Sequence, residues 1–83
     1  MPLYMDVHHS IPDGATEQDV AGAHAADLAI QDRYGVNYRN YWVDAASSKV
    51  FCLTEAPSAE AAAAVHREAH GLVADEIFEV RQG

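Results

Sequence analysis

Val36-Asn37-Tyr38-Arg39-Asn40-Tyr41-Trp42-Val43-Asp44-Ala45-Ala46-Ser47-Ser48-Lys49-Val50-Phe51-Cys52-Leu53-Thr54-Glu55-Ala56-Pro57 reads as two strands joined by a short loop. Val36 to Asp44 is rich in aromatics, Ala45 to Ser48 supplies the turn, and Lys49 to Glu55 is the return strand, ended by Ala56-Pro57. Strict alternation puts Tyr41 and Val43 on one face and Tyr38 and Trp42 on the other, while Val50-Phe51-Cys52-Leu53 is apolar on both. An antiparallel sheet covered on one side alternates apolar and polar residues. This hairpin does not, so both of its faces are expected to be covered.

Working outward, Leu3 to His9 alternates, with Leu3, Met5 and Val7 on one face and Tyr4, Asp6 and His8 on the other. Ser10-Ile11-Pro12-Asp13-Gly14 breaks that strand, and Thr16 is a good N-cap for a helix from Glu17 to about Tyr34, stopped at Gly35. On the far side of the hairpin, Ser58 caps a second helix, Ala59 to His70, closed by Gly71, and Glu76 to Arg81 forms the last strand. The order β-α-β-β-α-β predicts an α+β fold: a ferredoxin-like sandwich, with an antiparallel sheet and two helices on one face. Residues 1–83 read as one such domain. The chain has no segment left to cover the opposite face of the sheet, which points to a homodimer packed sheet against sheet.

The formal charge of −8 argues against nucleic acid and anionic membrane as partners and favours cations. No signal-like or membrane-spanning run is present, and Cys52 stands alone, which together predict a cytoplasmic protein without disulfides. No glycine-rich nucleotide loop exists, and Ser10, Ser47, Ser48 and Ser58 read as turn or cap residues, leaving no serine triad.

Five histidines stand in this short acidic chain. His66 and His70 lie one helical turn apart in Val65-His66-Arg67-Glu68-Ala69-His70, and residues i and i+4 share a face. With Val65 at the centre of the buried stripe and Ala61, Ala62, Ala69 and Leu72 beside it, His66 falls about 100° and His70 about 140° away. Both are then expected at the solvent-reachable flank, with Glu68 across the stripe, and a double alanine substitution is expected to leave the fold intact. His8 and His9 point to opposite faces of their strand, and Asp6 shares the His8 face. On the first helix, His24, Asp27 and Gln31 form a polar line down an otherwise apolar face. That line is either hydrogen-bonded within the fold, lining a cavity, or turned to water. A His24–Asp27 pair in it would orient an imidazole. The candidate metal ligands are therefore His66, His70, His8, His9, Asp6, His24 and Glu68. Free imidazole titrates near pH 6.5, so affinity through these rings is expected to fall between about pH 7 and pH 5.

The opening Met1-Pro2-Leu3-Tyr4-Met5-Asp6-Val7-His8, the helix Asp19 to Asp27, the strands Tyr41 to Asp44 and Val50 to Pro57, and the run Val65 to Ile77 resemble the small actinobacterial nickel-binding family. That resemblance implies a homodimer of ferredoxin-like subunits that binds a nickel ion without turnover, in nickel sequestration or tolerance. Open positions on such an ion would let it draw dimers together. The alternative is a small dimeric α+β-barrel enzyme with a pocket between sheet and helices near His24 and Cys52.

Overall fold

A computed structural model describes residues 1–12 and 14–83. In chain order the elements are β1 (Leu3–His8), α1 (Glu17–Ile30), a 3₁₀ turn (Gln31–Tyr34), β2 (Asn37–Asp44), β3 (Lys49–Glu55), α2 (Ala59–Ala69) and β4 (Glu76–Val80). The four strands form one antiparallel sheet in the order β2-β3-β1-β4, the ferredoxin-like arrangement expected from the element order. Asp13, part of the expected break after β1, lies outside the described residues. Among the described residues, no helix is long and apolar enough to cross a membrane.

Local chemistry sets the element ends. Thr16 and Asp19 make a capping box: Thr16 Oγ1 accepts from the Asp19 amide at 3.2 Å, and Asp19 Oδ2 accepts from the Thr16 amide at 2.8 Å. Ser58 Oγ accepts from the Ala61 amide at 3.1 Å at the start of α2. Gly71 ends that helix in the left-handed conformation (φ +78°), its amide donating to the His66 carbonyl at 2.9 Å.

Two features depart from the sequence expectation. A bulge in β2 between Tyr38 and Asn40 shifts the register by one residue. A single extra residue reverses the facing of everything beyond it. Tyr38, opposite Thr54, therefore joins Tyr41 and Val43, opposite Cys52 and Val50, on the helix side instead of facing away with Trp42. The polar face of β1 is also the covered one. Asp6, opposite Cys52, is buried, whereas Leu3, Met5 and Val7 lie on the other face with Phe51, Leu53 and Phe78. The core of Val36, Tyr38, Val50, Cys52, Ala56, Ala62 and Val65 is thin, and charged groups lie within it. The uncovered sheet face leaves Trp42 and Phe78 each 50% exposed.

Candidate metal centre

The expectation that His66 sits at a wet flank is overturned: it is 2% exposed. The buried residues of α2 are Ala62, Val65 and His66, so the packed stripe is rotated towards His66. Two causes misled the sequence reading. A run of alanines carries little information about which face is inward, and Leu72, used to place the stripe, lies beyond the helix end at Ala69.

His66 lies between two carboxylates. Its Nδ1 is 2.9 Å from Asp27 Oδ1 on α1, and its Nε2 is 2.9 Å from Asp6 Oδ2 on β1. Each carboxylate favours a proton on the nitrogen facing it, so the ring is held as an imidazolium with both nitrogens donating. Burial pushes the His66 pKa down, but hydrogen bonds to Asp27 and Asp6 and their charges outweigh it and raise the pKa to about 9. Burial likewise opposes ionisation of Asp6. The hydrogen bond from His66 and the proximity of the His66 and His8 rings overcome that and hold its carboxyl well below the usual range. Asp27 is lowered in the same way, against burial, by His66 and His70.

Further side chains complete the cluster. The Tyr38 hydroxyl lies 2.9 Å from Asp6 Oδ2 and 3.1 Å from the Ala62 carbonyl, and its one proton favours the carboxylate. Burial and the neighbouring Asp6 charge push the Tyr38 hydroxyl up, which keeps it a donor. His70 Nδ1 accepts from the Leu72 amide at 3.1 Å, leaving Nε2 as its N–H, 3.1 Å from Asp27 Oδ1. The 3.2 Å approach of His70 Nε2 to His66 Nδ1 is the third side of the triangle closed by that oxygen. His8 Nε2 is 3.4 Å from Asp6 Oδ1, too far for a good hydrogen bond. Asp6 Oδ1 is buried with no hydrogen-bond partner among the described residues.

Two groups that could hold a metal ion result, each with donor atoms within 4.8 Å of one another: Asp6, His8, Cys52 and His66, and Asp27, His66 and His70. Imidazole, carboxylate and thiol donors suit a borderline divalent transition ion. The unpartnered Asp6 Oδ1 is a lone pair that such an ion would satisfy, so the residues fit a metal. Burial and the Asp6 charge push the Cys52 thiol up, so it is a neutral neighbour until a cation draws its proton off.

Of the residues singled out in the sequence, Asp6, His8, His66 and His70 converge here and three do not. His9 is exposed and pairs with Glu76, Nε2 to Oε2 2.6 Å. Glu68 is bound by Arg33 at 2.7 Å on the outer side. His24 packs against Tyr41 at a ring distance of 4.8 Å and lines the same cavity as His66 and His70. Of the alternatives for the polar line of α1, it faces inward, and Asp27 bonds to His66 and His70 instead of pairing with His24. Gln31 Oε1 in that line accepts from the Tyr38 amide at 2.8 Å. Asp27 and Tyr38 were absent from the expected ligand group. The polar line on α1 was the signal for Asp27, and the bulge hid Tyr38.

No curated protein matches the chain. Among solved structures it is similar to the crystal structure of SCO4226 from Streptomyces coelicolor A3(2), with 43% sequence identity, 98% of each chain covered and a TM-score of 0.88. Residues 4–80 match the family described as "Nickel responsive protein SCO4226-like". With that match over nearly its whole length, the chain belongs to the SCO4226-like nickel responsive protein family.

Proposed function

We propose that this single domain binds a divalent nickel ion through its Asp6, His8, Asp27, His66 and His70 cluster and serves in nickel sequestration or tolerance. One observation carries the reading: two ligand sets share His66, and one of them holds a buried carboxylate oxygen without a partner. The family description supports nickel as the metal. The donor set alone would hold copper at least as tightly, following the Irving–Williams order. A bound ion would add a divalent charge beside two buried carboxylates.

His66 must release a proton before either nitrogen has a lone pair to offer. His70 would offer Nε2 only by moving its proton to Nδ1, giving up the Leu72 amide. Because the His66 pKa is about 9, the pH dependence should extend higher than free imidazole suggests. Nickel affinity is expected to keep rising from pH 7 to pH 9, with a proton released per ion bound through His66. Calorimetric titration in two buffers of different ionisation enthalpy reads both quantities. An affinity that is flat above pH 7, with no proton release, would remove His66 from the ligand set.

The reading includes a homodimer formed through the open sheet face. Trp42, Phe51, Met5, Leu53 and Phe78 supply a contiguous apolar surface across the four strands. A stable pairing on such a face buries on the order of 1,200 Å² or more. Sedimentation at tens of micromolar should give a dimer, and Phe78→Glu should shift it to monomer, since a carboxylate there would be desolvated without a partner. A wild-type monomer at that concentration would contradict the pairing. The exposed His9–Glu76 pair, away from the inner cluster, is available to draw dimers together through nickel. Light scattering on nickel addition, with and without His9→Ala, tests that part.

A further inference from the structure

Between α1, α2 and the sheet lies a cavity of about 280 Å³, open to solvent on one side. It lies on the helix side, so pairing through the opposite sheet face leaves it accessible. Its size is near the lower end for small-molecule sites, roughly 300–1,000 Å³. Val20, Val50, Leu72 and Val73 make its apolar wall. Its fixed charges are mostly carboxylates. Asp19 and Asp75 stand with Asp27 in the lining, and no lysine or arginine joins them among the described residues. The one fixed cation, His66, is already matched by Asp6 and Asp27.

Asp27 is the group that gives the cavity a direction. Its Oδ1 accepts from both His66, at 2.9 Å, and His70, at 3.1 Å. Its Oδ2 has no hydrogen-bond partner among the described residues, and Asp27 is part of the cavity lining. In the same lining, the Tyr41 ring, 4.8 Å from the His24 ring, presents aromatic surface of the kind that attracts a cation. An anion would meet a lining with more carboxylates than cations, and a neutral guest could donate to Oδ2 but would leave its charge unmatched.

We propose that this cavity binds a small primary amine with an apolar body, its ammonium donating to Asp27 Oδ2 and its body lying along Val20, Leu72 and Val73. The inference goes beyond the nickel reading and does not rest on it, because it concerns the metal-free chain.

The test uses the full chain treated with chelator and three probes of matched shape: benzylamine, benzyl alcohol and benzoate. Methyl resonances of Val20, Leu72 and Val73 report where each probe binds, and calorimetry reports affinity. A charge-assisted hydrogen bond is worth roughly tenfold or more over a neutral contact. Benzylamine should bind at least about tenfold more tightly than benzyl alcohol, and benzoate should not bind. Asp27→Asn should erase the amine's advantage while keeping the weaker alcohol binding. Ala23→Phe, which adds bulk from the cavity wall, should abolish both with the fold retained by circular dichroism. If Asp27→Asn fails to fold, the charge series on the unsubstituted chain decides. Benzoate binding as tightly as benzylamine, shifts confined to other residues, or no benzylamine binding at ten-millimolar order would each overturn the proposal. None of these outcomes depends on whether nickel binds, so the two readings fail separately.

Discussion

His66→Ala is expected to destabilise the fold by about 3–5 kcal/mol, the range found when one partner of a buried ion pair is removed. The substitution takes away the cation between Asp6 and Asp27 and leaves two buried carboxylates facing an empty space. Alanine's helix preference returns only a few tenths of a kcal/mol. Against a typical domain stability of about 5–15 kcal/mol, such a loss brings this thin-cored chain near unfolding. His70→Ala should be much milder, because Asp27 keeps its bond to His66. Adding Asp27→Asn and Asp6→Asn to His66→Ala should recover part of the loss by removing the stranded charges. Urea denaturation of the series reads these differences directly. A His66→Ala protein as stable as the parent would mean that the triad is not ionised as described. A harmless His66/His70 double alanine presumed both side chains off the buried stripe, whereas His66 is buried, so that double variant is expected to be destabilised as well.

The second large effect is on stability against pH. The folded His66 pKa is about 9, above its ordinary 6.5. A group raised on folding contributes in full below its unfolded pKa and loses that contribution as pH rises through the folded one. Stability should therefore fall between about pH 6.5 and pH 9, by about 3 kcal/mol. Asp6 and Asp27 are lowered from 3.8, so their contribution is present above that value and lost as pH falls below it. Both limbs report the same ion contacts and are not added. The expected profile has a plateau from about pH 4 to pH 6.5, with losses on either side. Asp27→Asn removes one of the carboxylates that raise His66 and should move the alkaline limb to lower pH. A metal-free protein equally stable at pH 6 and pH 9 would contradict the imidazolium assignment.

The frame of the fold was legible because its signals are local. Thr16 and Ser58 cap their helices in place, Gly71 closes α2, and the hairpin's return strand runs from Lys49 to Glu55 as its composition suggests. The candidate cluster was only half legible. His66 and His70 are joined by helical periodicity, and Asp6 and His8 by strand alternation, so each pair could be read from spacing. What brings the pairs together is tertiary: β1 turns its polar face inward and α2 is rotated towards His66. A row of alanines on α2 does not encode that rotation, and the one-residue bulge after Tyr38 defeats alternation. The polar line on α1 was visible as an anomaly. Its meaning depended on which partner reached Asp27, and that partner lies 39 residues away on another helix.

The most direct test of the nickel assignment is calorimetric titration of three metal-free chains: the parent, His8→Ala with His70→Ala, and His9→Ala. His8 and His70 each contact an aspartate that keeps its bond to His66, so the double variant should retain the fold. His9 is exposed and bound to Glu76, outside the cluster. The expected result is a parent with a high-affinity nickel site, a folded double variant in which that site is lost or weakened at least about tenfold, and a His9→Ala chain that retains it. A double variant with the parent's affinity and stoichiometry, or loss of the site on His9→Ala alone, would place nickel outside the cluster between the helices and the sheet.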